Sequence, residues 1–297
     1  MARYLTAGNL LVEDVVLPDG RVVRDRLGGD ALYAAIGARA FADDIGLVVR
    51  LGRGFPAELT RALEEAGYGA GLIPSRHATV RLRVEWGVEG HTRFTFEEGS
   101  GTYVEATPTP DEIPAALAER LEAVHVAPVP FEQMEALVTW ARPRARVVTV
   151  DPHYQHVAGM EAEWRRILPL VDAFLPSRDE AASLLGGWPG AEEAVRAIAG
   201  LGAPVACVKL GADGSIGCRA GEVVRMPAAT ADPVDPTGCG DAFCGGFLVG
   251  LAETGDLRAA LAHGSVAAAF VADDHGAAHA LRIDRREAQR RLTSLQV

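Results

Sequence analysis

The chain has 297 residues, 48% of them hydrophobic, with a formal net charge of −11, enough to fill one large α/β core or two small ones. Its arginines are scattered and Lys209 is its only lysine, so nothing resembles a basic patch for nucleic acid or an anionic membrane, and no apolar run reaches the roughly 18 residues of a membrane span. Negative charge does not exclude an anionic ligand, because backbone N–H groups bind phosphate without side-chain charge.

The first strand candidate is "ARYLTAGN" (2–9). Acids follow soon after, and no small-residue cleavage pattern is present, which argues against a signal peptide. The strand runs into "AGNLLVED" without a GxGxxG, which disfavours a nicotinamide dehydrogenase. Residues 10–27 carry a Pro-Asp-Gly turn between two strand-like arms, and a helix is predicted over 30–42. A strand at 45–50 and a helix at 56–66 come next. Residues 79–96 alternate: Val80, Leu82, Val84 and Trp86 face one way, Arg81, Arg83 and Glu85 the other, and after "GVEG" Phe94 and Phe96 rejoin the apolar face. The pieces 10–27 and 79–97 together predict a small antiparallel sheet beside the main body. It would be a lid over a substrate, a dimer contact, or an edge hairpin packed on the body.

Helices at 110–121, 131–141, 160–168, 178–185 and 191–200 then alternate with strands at 123–127, 146–151, 173–176 and 204–210, and a long helical tail follows residue 241. This rhythm predicts a mainly parallel sheet covered on both faces, within a single domain over 1–297. Ligands of such sheets sit beyond the carboxyl ends of the strands.

Cys207, Cys218, Cys239 and Cys244 show no CxxC spacing, which argues for reduced, mostly buried thiols in a cytoplasmic protein. His153 with His156, and His275 with His279, have metal-compatible spacings but no convincing acidic third ligand. Lys209 is followed by Leu rather than Ser or Thr, which excludes a P-loop kinase.

The densest cluster of special residues is "DPTGCGD" (235–241), ahead of the apolar run "AFCGGFLVGLA". Glycines let backbone approach a ligand, so the amides of Gly238, Cys239 and Gly240 could converge at a helix N-terminus that attracts an anion. A carboxylate at the same place suits phosphoryl transfer, with Asp241 orienting an attacking hydroxyl while the amides hold the migrating group. The helix dipole should depress its pKa, leaving a weak base, which a loose transition state tolerates. The alternative is a plain helix cap, with Asp235 and Thr237 as turn residues and Pro236 fixing the backbone.

"DPTGCGDAFCGGF" resembles the carboxy-terminal signature of the ribokinase-like (PfkB) carbohydrate kinases. In matching order, "GGDALYAAIGA" (28–38), "RLGRGFP" (50–56), "VDPH" (150–153), "LPSRDEA" (175–181) and "KLGADGS" (209–215) resemble five further stations of that family. The resemblance implies a three-layer αβα sandwich with a small β-sheet lid. It also implies ATP-dependent phosphorylation of a hydroxyl on a sugar, sugar derivative or nucleoside, with Mg2+. Asp241 would be the base, with Gly238, Cys239 and Gly240 as the anion hole. Glu180 would organise magnesium through water or phosphate, with Ser177 where an Asn is usual. Lys209, Gly211, Gly214 and Thr237 would border ATP. Asp235 would lie near a monovalent-cation loop, with potassium use left open.

At the acceptor end, Gly28 and Gly29 match the glycine pair that lets sugar hydroxyls approach. Tyr33 replaces a usual sugar-binding Asn, offering a ring face and one hydroxyl, and is otherwise a core aromatic. Glu13, with Asp14 as its rival, aligns with a substrate-binding Asp; Asp30 is a third candidate, and Arg93 could meet a substrate carboxylate. The expectation is a sugar kinase acting on a small molecule. A nucleoside kinase of the same family and a non-catalytic ligand-binding relative are the alternatives.

Overall fold

The alternation of β-branched and helical segments produces the expected βαβ succession. The computed structural model describes residues 2–16, 20–86, 92–229 and 233–295. Strand β1 (Tyr4–Ala7) is followed by β2 (Leu11–Val16), β3 (Val22–Gly28) and helix α1 (Asp30–Arg39). Then come β4 (Ile45–Arg53), α2 (Ala57–Glu65), β5 (Leu72–Ala78), β6 (Val80–Trp86) and β7 (Thr92–Phe96). Short α3 (Tyr103–Ala106) and α4 (Ala115–Ala118) lead to β8 (Ala123–Val126), α5 (Phe131–Ala141), β9 (Val147–Val150) and α6 (Glu161–Ile167). The next elements are β10 (Ala173–Phe174), α7 (Arg178–Leu185), α8 (Ala191–Ala199), β11 (Val205–Lys209), β12 (Ser215–Arg219) and β13 (Glu222–Met226). Helices α9 (Cys239–Thr254), α10 (Leu257–Ala272) and α11 (Arg285–Leu295) follow.

Nine strands form the large sheet in the order β13-β12-β11-β10-β9-β8-β1-β4-β5. The seven from β11 to β5 run parallel, and only the β12 and β13 edge is antiparallel. The period-2 alternation of strands divides the core. Leu5, Val124, Val126, Val148 and Val150 pack with Leu137, Trp164 and Ile198 on one face. Tyr4, Leu47, Ala123, Val147 and Cys207 pack with residues of α1, α9 and α10 on the other. The result is three layers, αβα.

The small sheet has the order β3-β2-β6-β7. Its outer pairs are antiparallel as expected, but the central β2–β6 pair is parallel. The cause is topological: β2 follows β1 and β6 follows β5, two parallel strands of the large sheet, so both arms enter in one direction. Leu11, Val15, Val80, Leu82 and Val84 are buried on one face, and Phe94 and Phe96 lie opposite Val84 and Leu82 in register. Pro18 and Asp19 of the first turn, the "GVEG" turn and the Trp86 side chain fall outside the described residues.

The helix expected over 110–121 is not continuous. Pro110–Glu112 makes one 3-10 turn and Ala115–Ala118 one short helical turn. Between them Pro114 cannot donate to a helical ladder and holds Ile113 extended.

Candidate active site

A cavity of about 590 Å³ lies between the small sheet and the carboxyl ends of the parallel strands, within the size range of small-molecule sites. The small sheet contributes Leu11, Glu13, Leu82 and Phe94. Residues just after the strands supply the opposite wall: Pro128 beyond β8, Asp151 and His153 beyond β9, Ser177 beyond β10, and Lys209 at the end of β11. The first turn of α9 closes the floor.

Gly238 takes a left-handed conformation, φ 76°, at the N-cap of α9. It is also pressed against Tyr33: a Cβ there would lie 2.4 Å from the ring, so only glycine suits both demands. No side chain caps α9, so Asp241 is not the capping residue. One part of the expected anion hole is corrected: the Cys239 amide donates to the Pro236 carbonyl at 3.2 Å. Among the described residues no protein acceptor meets the amides of Gly238, Gly240 or Asp241. Gly238, Cys239, Gly240 and Asp241 all line the cavity.

The expected depression of the Asp241 pKa is also corrected. Burial, then the negative charges of Asp30, Asp151 and Glu180, hold its carboxyl well above the usual range, only partly offset by Lys209. Asp30 accepts from Asn9 Nδ2 at 3.1 Å and is pushed up to about 6, chiefly by burial. Asp151 is pushed up to about 7, again chiefly by burial. Its Oδ2 pairs with Lys209 Nζ and accepts from Cys244 Sγ at 3.4 Å. Lys209 is therefore a paired cation, 11% exposed, at the end of β11.

Glu180 sits in a reciprocal cap at the start of α7, its Oε2 accepting from the amide and hydroxyl of Ser177 at 2.7 and 2.8 Å. Ser177 thus performs the capping an Asn would perform. Among the described residues no group of three or more His, Cys, Asp or Glu could cage a metal. The buried Asp151 Oδ1 has no partner and, with Glu180, lines the cavity. Such a donor set suits Mg2+ carried on substrate phosphates, not a dedicated protein cage.

On the small-sheet side the strand alternation separates the two acids of β2. Glu13 lines the cavity with its Oε2 unpartnered, whereas Asp14 is held by Arg24 Nη1 at 2.9 Å and the Asp25 amide at 3.0 Å. Asp30 and Tyr33 line the cavity too, and the buried Tyr33 hydroxyl has no partner. Gly28 and Gly29 do not line it. Gly28 makes room for the Glu13 carboxylate, 2.6 Å from where its Cβ would be, and Gly29 is the N-cap of α1. Arg93 alternates with Phe94 and lies exposed, away from the cavity. Lys209, Gly211, Gly214 and Thr237 also line the cavity, as do Ala228, Ala229, Ala268, Ala269 and Ala272.

Asp235 does not reach the cavity. Its Oδ1 accepts from the Thr237 amide at 2.8 Å, and its Oδ2 from Arg26 at 2.6 Å and the Gly276 amide at 3.2 Å. Three N–H donors, one of them a guanidinium, thus already meet the carboxylate expected beside a monovalent cation.

Sequence reasoning passed over Asp151 although it follows a strand directly, the position that marks ligand sites in such sheets. It also missed the aromatic wall. The Tyr103 ring meets His153 at 4.8 Å, His153 stacks on Tyr154 at 4.6 Å, and all three line the cavity. No spacing rule links residues 103 and 153.

A pfkB family carbohydrate kinase model matches residues 8–284. The cytidine kinase of Thermococcus kodakarensis is 28% identical over 256 residues, 84% of this chain and 88% of that one. An Escherichia coli chain described as ribokinase II, in complex with ATP and Mg2+, superposes with a TM-score of 0.78 at 20% identity, covering 99% of this chain and 100% of that one. A double-mutant fructokinase of Vibrio cholerae, with fructose, ADP and a potassium ion bound, superposes with a TM-score of 0.76 at 20% identity, covering 98% and 97%.

Proposed function

The chain belongs to the pfkB family of carbohydrate kinases, and from that premise we propose that it transfers the γ-phosphate of ATP to a hydroxyl of a sugar or sugar derivative, with Asp241 as base. The observation that carries this is the meeting, in one cavity, of unpartnered amides at Gly238, Gly240 and Asp241 with a carboxylate of raised proton affinity. The acceptor hydroxyl gives its proton to Asp241 as its oxygen bonds to the γ-phosphorus, and the bond from phosphorus to the β-bridging oxygen breaks to release ADP. These amides hold the migrating group's charge in this reading, supported by their freedom from protein acceptors. Glu180 and Asp151, both on the cavity wall, would hold Mg2+ through water or phosphate, and the ion would supply charge neutralisation at the phosphates. Lys209 adds the cavity's own positive charge, and the alanine-lined end beyond Gly211 and Gly214 suits the adenine. The small sheet acts as a lid that excludes water, part of one catalytic unit with the main body.

The aromatic wall of Tyr103, His153 and Tyr154 supports a second reading, a nucleoside acceptor whose base stacks there while Glu13 and the Tyr33 hydroxyl bind the ribose. ADP release measured across sugars, polyols, sugar acids and nucleosides separates the two. Asp241→Asn should lower turnover about 10²- to 10⁴-fold while the fold and ligand-induced melting shifts persist; turnover equal to wild type would refute the base assignment.

A further inference from the structure

The loop that presents the anion-binding amides is tied to the small sheet by one buried ion pair. Arg26 stands near the end of β3, where the strand passes into α1, and its side chain is 6% exposed against 1% for Asp235. Asp235 in turn holds the Thr237 amide, one residue before Gly238. The guanidinium lies close against Gly276, where a Cβ would come within 2.6 Å of Nη2 and 2.7 Å of Nε. The Gly276 amide shares Asp235 Oδ2 with Arg26, and His275 Nδ1 lies 3.6 Å from the same oxygen. Three segments distant in sequence, at 26, 235–237 and 275–276, thus converge on one carboxylate.

A carboxylate this buried requires a nearby positive charge, since an unpaired buried ion is strongly destabilising. A free metal cation would have to share this carboxylate with three N–H donors, two on Oδ2 and one on Oδ1, and would be repelled by the guanidinium already 2.6 Å from Oδ2. A guanidinium stays charged at any working pH and presents its donors in a fixed plane. We propose that Arg26 is a tethered cation and positioning residue: it fixes the loop bearing the Gly238, Gly240 and Asp241 amides from the base of the lid, and the protein therefore works without a monovalent cation.

The proposal rests on the kinase reading only for its rate measurement; its melting measurement stands alone. Wild-type protein is compared in tetramethylammonium, sodium and potassium chloride at equal ionic strength. Melting temperature should be the same in all three, because a cation that does not bind cannot stabilise, and turnover should agree within about twofold. Arg26→Ala should lose about 10- to 100-fold in kcat, the worth of one charge-assisted hydrogen bond, with a smaller change in acceptor KM. Low millimolar guanidinium or added potassium should restore part of that rate and raise the variant's melting temperature. A potassium-specific rise in wild-type melting temperature or turnover would overturn the proposal, whether or not the variant folds. So would a folded Arg26→Ala with wild-type turnover, or one that neither cation restores. A wild type that phosphorylates no acceptor yet melts identically in the three salts would count against the kinase reading and for this one.

Discussion

At the scale of single residues, burial sets the chemistry of this cavity more than local sequence does. Glu13 is raised from 4.5 to about 7, with burial the largest cause and Arg26 opposing it. The folded state therefore favours the protonated acid: its contribution is complete below about pH 4.5 and is lost as pH rises through 7. Glu13→Gln, which keeps the shape of the neutral acid, should behave like wild type near pH 5 and be relatively more stable by roughly 2–3 kcal/mol at pH 8. Urea unfolding of both proteins at the two pH values measures this, and a difference that does not grow with pH would contradict it. The candidate base and the glycines before it were legible from residue type and spacing, whereas Glu180 was found only through the family resemblance, its Ser-x-x-Glu cap passing unread. The protonation preference of Asp241 was not legible, because Asp30, Asp151 and Glu180 reach it from three other elements.

At the scale of elements, caps and close helix contacts aim these side chains. Ser177 and Glu180 form a reciprocal cap on α7, so Ser177→Ala should cost about 1 kcal/mol while Ser177→Asn retains most of the cap. Thermal unfolding of the two variants separates capping from any effect on turnover. Helices α1 and α9 meet backbone to backbone: a Cβ at Gly245 would lie 1.8 Å from the Ala34 carbonyl oxygen, and one at Gly37 2.0 Å from that of Ala242. That contact brings the Asp30 and Tyr33 helix against the Asp241 helix. The parallel strands were legible because β-branched runs alternate with helical periods. The hairpin β12–β13 and the edge strand β5 were not, since "LIPSRHA" contains a proline and lacks clean alternation. The break at Pro114 had a local signal, because a proline inside a predicted helix ends or kinks it.

At the scale of the whole molecule, the cavity exists only because two sheets face each other. Phe94 lines it from the small sheet while remaining 49% exposed, so it can be changed at small cost to stability. Phe94→Ser should raise acceptor KM several-fold, leave the KM for ATP nearly unchanged, and shift stability by no more than about 1 kcal/mol. Steady-state kinetics with each substrate varied tests this; an acceptor KM unchanged from wild type would remove Phe94 from the acceptor site. Among the described residues no helix is long and apolar enough to cross a membrane, in line with the hydropathy of the chain. By itself the sequence determined the layer order, the amphipathic lid arms and the glycine-aspartate turn, since periodicity, turn chemistry and helix starts are set by neighbours a few residues apart. Tertiary structure alone decided which amides stay unpartnered, that burial and neighbouring acids raise the proton affinity of Asp241, that Arg26 pairs with Asp235, and that Tyr103, His153 and Tyr154 form one wall. Each of these depends on desolvation and on contacts between segments tens to hundreds of residues apart, and those distances are fixed only when the two sheets close on each other.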